Sequence, residues 1–323
     1  MRVAVLGAGA WGTAMACVLA ARHETVLWAR DAAQARQLAQ TRRNERYLRG
    51  IEIPSAVAVT DDLAQATSGI SLALVATPVA GLREVLQKVK PPLVWLCKGF
   101  EQGSGRLPHQ IAADVFGENA RFGALSGPSF ADEVARGLPC ALTLASRDTA
   151  FAREAAAIVH GGRVRVYYSA DLVGVEIGGA VKNVMAIAAG ISDGLGLGLN
   201  ARAALITRGL AEITRLGMAL GAAPETLMGL AGAGDLILTA TGDLSRNRRV
   251  GMELARGKSL DDVLKGLGHV AEGVRSAKEV LKLAKTKQVE MPVTETVNAV
   301  LEGQLKPAAA VEKLLSRDPK REG

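Results

Sequence analysis

The sequence predicts an α/β protein with an N-terminal, doubly wound parallel sheet and an all-α C-terminal domain. Short apolar runs typical of strands recur between Arg2 and Tyr168, with helical patterns between most of them. From Leu172 onward the strand patterns stop, and the apolar residues follow helical spacing. We therefore expect one domain over residues 1–172 and a second over residues 173–323.

The composition is that of a soluble globular protein. Of the 323 residues, 49% are hydrophobic and 22% are charged. No apolar run of about 20 residues is free of charges, so we expect no membrane span. The cysteines Cys17, Cys97 and Cys140 and the four histidines show no metal-ligand spacing, so we expect reduced thiols, a cytoplasmic location and no metal site.

The net charge of +7 does not indicate nucleic-acid binding. The basic residues are dispersed, and aromatic residues, which stack on bases, make up only 3% of the chain. The densest cluster lies in a predicted helix and loop and favours a solvated face; it consists of Arg42, Arg43, Arg46 and Arg49. A mild positive charge would also suit an enzyme with phosphorylated ligands.

The first elements predict a Rossmann-type dinucleotide site. An apolar strand, Arg2–Leu6, precedes Gly7, Gly9 and Gly12, and a helix and a second strand, Thr25–Trp28, follow. In this G-x-G-x-x-G pattern the glycines permit a tight turn, close approach to a pyrophosphate and close helix–strand packing. The alternative is a glycine turn in an unrelated α/β protein.

The residue after the second strand bears on cofactor choice. Arg30 stands where NAD-binding proteins usually carry an acidic residue, and Asp31 follows it. A guanidinium can pair with a 2′-phosphate, so NADPH is the expected cofactor, with NADH also possible. Alternatively, Arg30 is an exposed surface charge.

Two later strands end at polar loops. The run Pro92–Cys97 ends at Lys98, and the run Phe122–Leu125 ends at Ser126–Ala131, which reads SGPSFA. Because ligands of open α/β sheets bind at the carboxyl ends of the strands, we expect both loops on the cofactor side. The other predicted strands are Ser71–Ala76, Cys140–Ala145 and Arg163–Tyr168.

The stretch Gly174–Asn200 carries the strongest candidate for catalysis. It predicts a mostly buried helix that contains Lys182, followed by a glycine-rich turn over Asp193–Asn200. A buried lysine is rare unless it is paired or functional, so Lys182 is either catalytic or paired with Glu176 or another acid. Gly178, Gly179 and Gly190 are costly in a helix and predict close approach of another group.

Two further polar clusters lie in the helical half. Asp235 follows a glycine run and is either a site carboxylate or the N-cap of the next helix. Ser245, Arg246 and Asn247 together offer a hydroxyl, a guanidinium and an amide, the donors that a phosphate needs. Alternatively, these three residues form a helix cap with solvated charges.

With these motifs, the chain resembles the bacterial NAD(P)-dependent glycerol-3-phosphate dehydrogenases from Gly7 to about Lys313. The motifs that carry the resemblance are GAGAWGT (Gly7–Thr13), CKGFE (Cys97–Glu101), SGPSFADE (Ser126–Glu133), the segment Gly174–Gly209, the segment Gly229–Gly251 and VAEGV (Val270–Val274). The long motif through Lys182 and the Ser245–Asn247 motif are more specific than the glycine fingerprint.

The resemblance implies reversible reduction of dihydroxyacetone phosphate to sn-glycerol 3-phosphate, a phospholipid precursor, with Lys182 as the acid–base residue. The implied substrate-binding residues are Lys98, Gly127, Ser129, Lys182, Asp235, Ser245, Arg246 and Asn247. With the fingerprint glycines Gly7, Gly9 and Gly12, the implied cofactor-binding residues are Ala10, Trp11, Arg30, Lys98, Ala131, Arg246, Val270 and Glu272. Ala10 departs from the serine common in the family, so a backbone contact to the pyrophosphate survives there but a hydroxyl contact does not.

Two other functions remain to be separated from this one. A β-hydroxyacid or ketopantoate reductase would need a carboxylate-binding site in place of a phosphate-binding site. A cofactor-binding protein without catalysis would have no reason to combine Lys182 with Asp235 and the Ser245–Asn247 motif. The expected partner is the small-molecule substrate; a homodimer is possible.

Overall fold

The computed structural model describes residues 1–267 and 271–316. The chain divides into two compact units, Met1–Glu101 with Arg106–Glu176, and Gln102–Gly105 with Ile177–Gly323. One helix long and apolar enough to cross a membrane occurs in the described part, Leu172–Gly194. In its most apolar window 94% of the residues are buried inside the protein, as in the core helix of a globular fold.

The first unit contains an eight-stranded sheet in the order β10-β9-β8-β7-β6-β1-β2-β5. These strands are β1 (Arg2–Leu6), β2 (Glu24–Trp28), β5 (Val57–Thr60), β6 (Leu72–Val75), β7 (Leu93–Trp95), β8 (Phe122–Ser126), β9 (Cys140–Ala145) and β10 (Val164–Ser169). The chain adds strands on one side of β1 and then, from β6, on the other. The switch point, where such sheets bind ligands, therefore lies at the carboxyl ends of β1 and β6.

Seven helices flank this sheet within the first unit. They are α1 (Ala10–Leu19), α2 (Ala32–Thr41), α3 (Leu63–Thr67), α4 (Leu82–Leu86), α5 (Pro108–Phe116), α6 (Ala131–Ala135) and α7 (Thr149–Val159). Residues at alternate positions of the central strands, such as Val3 and Val5, pack in one core with residues of α1 and α7. The strands are apolar almost throughout because helices cover the sheet.

The structure corrects two predictions for this unit. The sheet is not wholly parallel, because β9 runs antiparallel to β8. The predicted helix and loop around the arginine cluster is partly wrong: α2 ends at Thr41, and a hairpin of β3 (Arg43–Asn44) and β4 (Leu48–Glu52) follows. Neither this hairpin nor β5 was predicted, because the strands are short and mix polar with apolar residues.

Every regular element described in the second unit is a helix, as predicted. It contains most of α8 (Leu172–Gly194), then α9 (Gly198–Ala219), α10 (Pro224–Met228), α11 (Asp235–Thr241), α12 (Arg246–Ala255), α13 (Leu260–Leu267), α14 (Glu272–Thr286), α15 (Pro292–Leu301) and α16 (Pro307–Leu315). Pro292 and Pro307 stand at the first positions of α15 and α16, where the missing N–H of proline breaks no helical hydrogen bond.

Two helix predictions in this unit were wrong in detail. The glycine-rich turn is shorter than predicted, because α8 continues to Gly194 and α9 begins at Gly198. The apolar spacing of Ala223–Ala231 also predicts one helix. In the structure this helix, α10, ends at Met228, and a π-helical turn, Leu230–Gly234, leads into α11. Glycines at these positions do not exclude helical backbone where packing favours it.

Candidate functional site

The glycine loop after β1 has the backbone that a dinucleotide fingerprint requires. Gly7 has a φ of 125°, and a Cβ there would lie 2.9 Å from the backbone of Ala76. A Cβ on Gly12 would overlap the carbonyl oxygen of Gly7. A Cβ on Gly9, by contrast, would meet nothing within 4 Å. The loop is therefore tight at Gly7 and Gly12, and open at Gly9.

Helix α1 starts directly from this loop. Gly9 is its N-cap residue and provides no side-chain hydrogen bond to the first turn. The N–H groups of the first turn therefore lack a side-chain cap, and a helix N-terminus of this kind suits an anion such as a pyrophosphate. Ala10 and Trp11 are the first two residues of α1, and both are half-buried.

The end of β2 presents one exposed cation. The side chain of Arg30 is 77% exposed, and its nearest acid is Glu84 at 3.9 Å. Asp31 is the N-cap of α2, where its carboxylate accepts hydrogen bonds from the N–H groups of Gln34 and Ala33. These hydrogen bonds lower the pKa of Asp31. Its carboxylate therefore has a structural role.

The loops after β7 and β8 lie together. The Nζ atom of Lys98 donates to the carbonyl oxygen of Gly127 at 3.3 Å, and the hydroxyl of Ser129 donates to the same oxygen at 3.0 Å. Gly127 has a φ of 140°, and a Cβ there would lie 3.0 Å from the carbonyl oxygen of Ala141. Only glycine fits this position without strain.

The first turns of α1 and α6 also meet. Ala131 begins α6, and it packs with Ala10 and Trp11 around a small core of Ala14, Leu48 and Ile51. Three of the predicted cofactor-binding residues are thus neighbours within the first unit.

In the second unit, the buried Lys182 of α8 contacts two residues of α11. Its ammonium group forms an ion pair with Asp235 and donates to the hydroxyl of Thr239 at 2.8 Å. Lys182 and Thr239 are 6% exposed, and Asp235 is 1% exposed. Asp235 is the first residue of α11, not its N-cap, which is Gly234. Of the two alternatives for Asp235, the N-cap is therefore wrong.

Glu176 is not the partner of Lys182. Its carboxylate instead accepts hydrogen bonds from the backbone N–H of His109 at 2.9 Å and pairs with the His109 imidazole, within the first unit. The predicted partner of Lys182 was Glu176 or another acid, and in the structure that partner is Asp235.

Two glycines of α8 allow the close contacts that were predicted for them. A Cβ on Gly178 would lie 2.6 Å from the carbonyl oxygen of Ala231, in the turn before Asp235. A Cβ on Gly190 would overlap the carbonyl oxygen of Arg248 in α12. The prediction is confirmed for both, and their absent side chains let α8 approach the segments that carry Asp235 and the Ser245–Asn247 motif.

The Ser245–Asn247 motif forms the start of α12. The Ser245 hydroxyl caps the helix by accepting from the N–H of Arg248 at 3.2 Å. Asn247 is buried: its amide nitrogen donates to Asn183 at 2.9 Å, and its oxygen accepts from the N–H of Gly273 at 3.0 Å. Arg246 is exposed. Part of the predicted helix cap is therefore present, together with an exposed guanidinium.

Sequence reasoning missed three polar residues of this region. Thr239 follows Asp235 by four residues, so helical spacing alone could have placed both on one face. Arg248, next to the predicted motif, forms a buried ion pair with Asp193 at 2.7 Å. No sequence signal joins these two residues, which are 55 positions apart.

Two predicted cofactor residues remain, Val270 and Glu272. Glu272 is the first residue of α14 and is half-buried, and Val270 lies outside the described residues. Over residues 1–267 and 271–316, no cluster of three or more histidine, cysteine or acidic side chains could hold a metal ion.

Comparison with known proteins gives matches over the whole chain. Residues 2–152 match the sequence family described as NAD-dependent glycerol-3-phosphate dehydrogenase N-terminus, and residues 171–312 match the corresponding C-terminus. The glycerol-3-phosphate dehydrogenase [NAD(P)+] of Aromatoleum aromaticum is 60% identical and covers 100% of both chains. That of Dechloromonas aromatica is 58% identical and covers 100% of this chain and 99% of its own.

A solved structure agrees with this. The crystal structure of glycerol-3-phosphate dehydrogenase from Coxiella burnetii has a TM-score of 0.92 at 40% sequence identity, covering 98% of this chain and 99% of its own. The likeness thus extends over residues of both units.

Proposed function

The chain belongs to the family of NAD-dependent glycerol-3-phosphate dehydrogenases, and we propose that Lys182 is the group that exchanges a proton with its substrate. The protein is an NAD(P)-dependent oxidoreductase that reduces dihydroxyacetone phosphate to glycerol 3-phosphate. This family assignment excludes the alternative reductases and the cofactor-binding protein without catalysis. The roles of individual residues are our proposal.

The single observation that carries the proposal is the buried Lys182–Asp235–Thr239 group. Asp235 supplies the negative charge that a buried ammonium needs, and the Thr239 hydroxyl accepts a second hydrogen bond that orients the ammonium group. In reduction, the ammonium donates a proton to the ketone oxygen as negative charge develops there. In oxidation, the neutral amine accepts the alcohol proton.

The glycine loop fits a dinucleotide. The space beside Gly9 and the first turn of α1 that lacks a side-chain cap suit a pyrophosphate, in the arrangement that we propose for Gly7, Gly9, Ala10, Trp11 and Gly12. When bound, the dinucleotide supplies or accepts the hydride at nicotinamide C4.

Cofactor preference is proposed to depend on Arg30. Its exposed guanidinium can reach a 2′-phosphate, whereas Asp31 is engaged in capping α2. We therefore propose NADPH as the preferred cofactor, with NADH also accepted. Lys98, Ala131, Arg246, Val270 and Glu272 are proposed as further cofactor contacts.

Arg246 is proposed as the main contact to the substrate phosphate. It is exposed at the start of α12, where helix N–H groups also favour an anion. The hydrogen bonds of Ser245 and Asn247 within the protein fix the start of α12, and we propose both as substrate-site residues beside Arg246. We propose Lys98, Gly127 and Ser129 as further substrate-site residues.

We further propose a cytoplasmic homodimer. A groove of about 900 Å³ in the second unit is mostly apolar, and three of its lining residues, Leu197, Met218 and Leu315, are exposed. Exposed apolar side chains that line a groove are typical of a protein–protein contact, so we assign the face to a second copy of the chain. Light scattering of the purified protein should give about twice the chain mass, and Leu315→Glu should lower it; a monomeric wild type would exclude the dimer.

The catalytic proposal is tested by following NADPH and NADH oxidation with two ketones. Dihydroxyacetone phosphate should be reduced efficiently, and dihydroxyacetone, which lacks the phosphate, at least about a hundredfold less so. Equal rates would exclude the proposed phosphate contacts. If the Lys182→Met variant turned over as fast as the wild type, Lys182 would not be the group that exchanges the proton.

A further inference from the structure

A buried asparagine outside the fingerprint holds the glycine loop. Asn44, in β3 of the hairpin, is 2% exposed. Its Nδ2 atom donates to the carbonyl oxygen of Ala8 at 3.0 Å and to the hydroxyl of Thr13 at 2.7 Å. Ala8 lies between the first two fingerprint glycines, and Thr13 follows the third. One side chain thus joins both ends of the loop.

A second amide reaches the same carbonyl. The Nε2 atom of Gln34, in the first turn of α2, donates to the Ala8 oxygen at 2.9 Å. The Ala8 carbonyl therefore accepts from two separate elements. Because both lone pairs of a carbonyl oxygen can accept, the two bonds fix the direction of the peptide that follows Ala8. The N–H of that peptide belongs to Gly9, the N-cap residue of α1.

Apolar contacts fasten the hairpin to the same region. Leu48 and Ile51 of β4 pack against Ala14 of α1, and Ala10 and Trp11 border this small core. The hairpin thus contacts α1 through an apolar face and through Asn44. Without these contacts the loop would be held mainly by hydrogen bonds to the neighbouring strand ends. One such bond runs from the N–H of Gly7 to the carbonyl oxygen of Trp28 at 2.9 Å.

We propose that Asn44, supported by Gln34, is a positioning residue for dinucleotide binding. It holds the Gly7–Gly12 loop in the conformation that presents the first N–H groups of α1 to the pyrophosphate. This role rests on the proposed cofactor site. It needs no contact between Asn44 and the cofactor, because the side chain acts through Ala8 and Thr13. A loop fixed before binding loses less conformational freedom when the dinucleotide binds.

The test compares Asn44→Ala with the wild type and with Asn119→Ala, a control at an exposed turn residue of the same unit. NADPH binding is titrated directly, and steady-state kinetics give KM for each substrate. Asn44→Ala should raise the Kd and KM for NADPH about tenfold, because two hydrogen bonds that fix the loop are lost. The kcat and the KM for dihydroxyacetone phosphate should stay within about twofold.

These readouts separate positioning from general stability. A purely structural role would lower the melting temperature and the amount of active enzyme while leaving the Kd of the folded fraction unchanged, and that result would overturn the inference. If the wild type bound no dinucleotide, the proposed function itself would fail. Wild-type binding with an unchanged Kd in Asn44→Ala would reject only the role of Asn44.

Gln34 provides a second, milder test. Gln34→Ala removes one of the two donors to Ala8 and leaves Asn44 in place, so the Kd for NADPH should rise about threefold. Because both amides bind one oxygen, the double variant should deviate from the product of the two single effects. Independent, multiplying effects would mean that the two residues do not act on Ala8 together.

Discussion

The two units build their parts of the proposed site by different means. In the sheet unit, the fingerprint consists of backbone and missing side chains, and the cation proposed for the 2′-phosphate, Arg30, is largely exposed. In the helical unit, Lys182 and Asp235 are buried charges joined to each other. The dinucleotide part of the proposed site should therefore tolerate side-chain changes at exposed positions. The part in the helical unit should need both partners of its buried pair.

The physical basis of this difference is the cost of burial. An exposed ion pair contributes about 0–1 kcal/mol, because water screens it and replaces it readily. Removing one partner of a buried pair costs about 3–5 kcal/mol, because the other charge stays buried without compensation. Substitutions in the helical unit should therefore have larger effects than those at the exposed end of β2.

The largest effect is expected for Lys182→Met, which removes the ammonium but keeps most of the side-chain volume. Loss of the proton donor should lower kcat by about 10³-fold or more, while the Kd for NADPH stays near the wild-type value. The measurement combines steady-state kinetics with NADPH titration. A parallel loss of cofactor binding and turnover would assign Lys182 to folding.

Stability gives a control for this variant. Lys182→Met removes the ammonium group that balances the buried charge of Asp235, so the melting temperature should fall. The double variant Lys182→Met/Asp235→Asn removes both charges and should regain stability but not turnover. If it regained turnover, the ammonium would have no part in the chemistry.

The second effect concerns the exposed member of the Ser245–Asn247 motif. Arg246→Ala should raise the KM for dihydroxyacetone phosphate by about a hundredfold, since a charged hydrogen bond to phosphate contributes about 1.5–3 kcal/mol. The matched control is Arg249→Ala, an exposed arginine of the same helix. Equal effects of the two changes would indicate general attraction of anions to α12.

The third effect measures close packing in the helical unit. Gly178→Ala places a Cβ against the carbonyl oxygen of Ala231 and should destabilise the protein by about 1–3 kcal/mol. The control is Gly266→Ala in α13, where a Cβ meets nothing within 4 Å, and where alanine should stabilise the helix by up to about 1 kcal/mol. Thermal unfolding of both variants checks the prediction. Equal melting temperatures would show that α8 shifts easily away from the turn.

The same contrast explains which features the sequence could predict. The fingerprint glycines of the first unit follow a fixed local spacing, so the strand, loop and helix could be placed in order. The ion pair of Lys182 with Asp235 joins residues 53 positions apart, and only the tertiary fold selects Asp235 over Glu176. Local spacing carries no information on such pairs.

The arginine cluster shows the other limit of local patterns. Arg43 and Arg49 lie in short hairpin strands whose alternation is too brief to distinguish from a helix end and loop. The hairpin is held by the buried Asn44 and by Leu48 and Ile51, which pack against α1. Tertiary contacts therefore decide the conformation of this segment, and the sequence could not indicate it.

The smallest effect is expected at the exposed end of β2. Arg30→Ala should raise the KM for NADPH by no more than about tenfold and leave the KM for NADH nearly unchanged, because only NADPH carries the 2′-phosphate and water screens an exposed pair. The control is Arg153→Ala, an exposed arginine of α7, and the measurement is the ratio of kcat/KM for the two cofactors. A loss as large as that of Lys182→Met would contradict the distinction between the two units, since it would give an exposed cation the energetic weight of a buried one. An equal change in kcat/KM for both cofactors would instead show that Arg30 does not contact the 2′-phosphate. Cofactor preference would then depend on the backbone of the glycine loop.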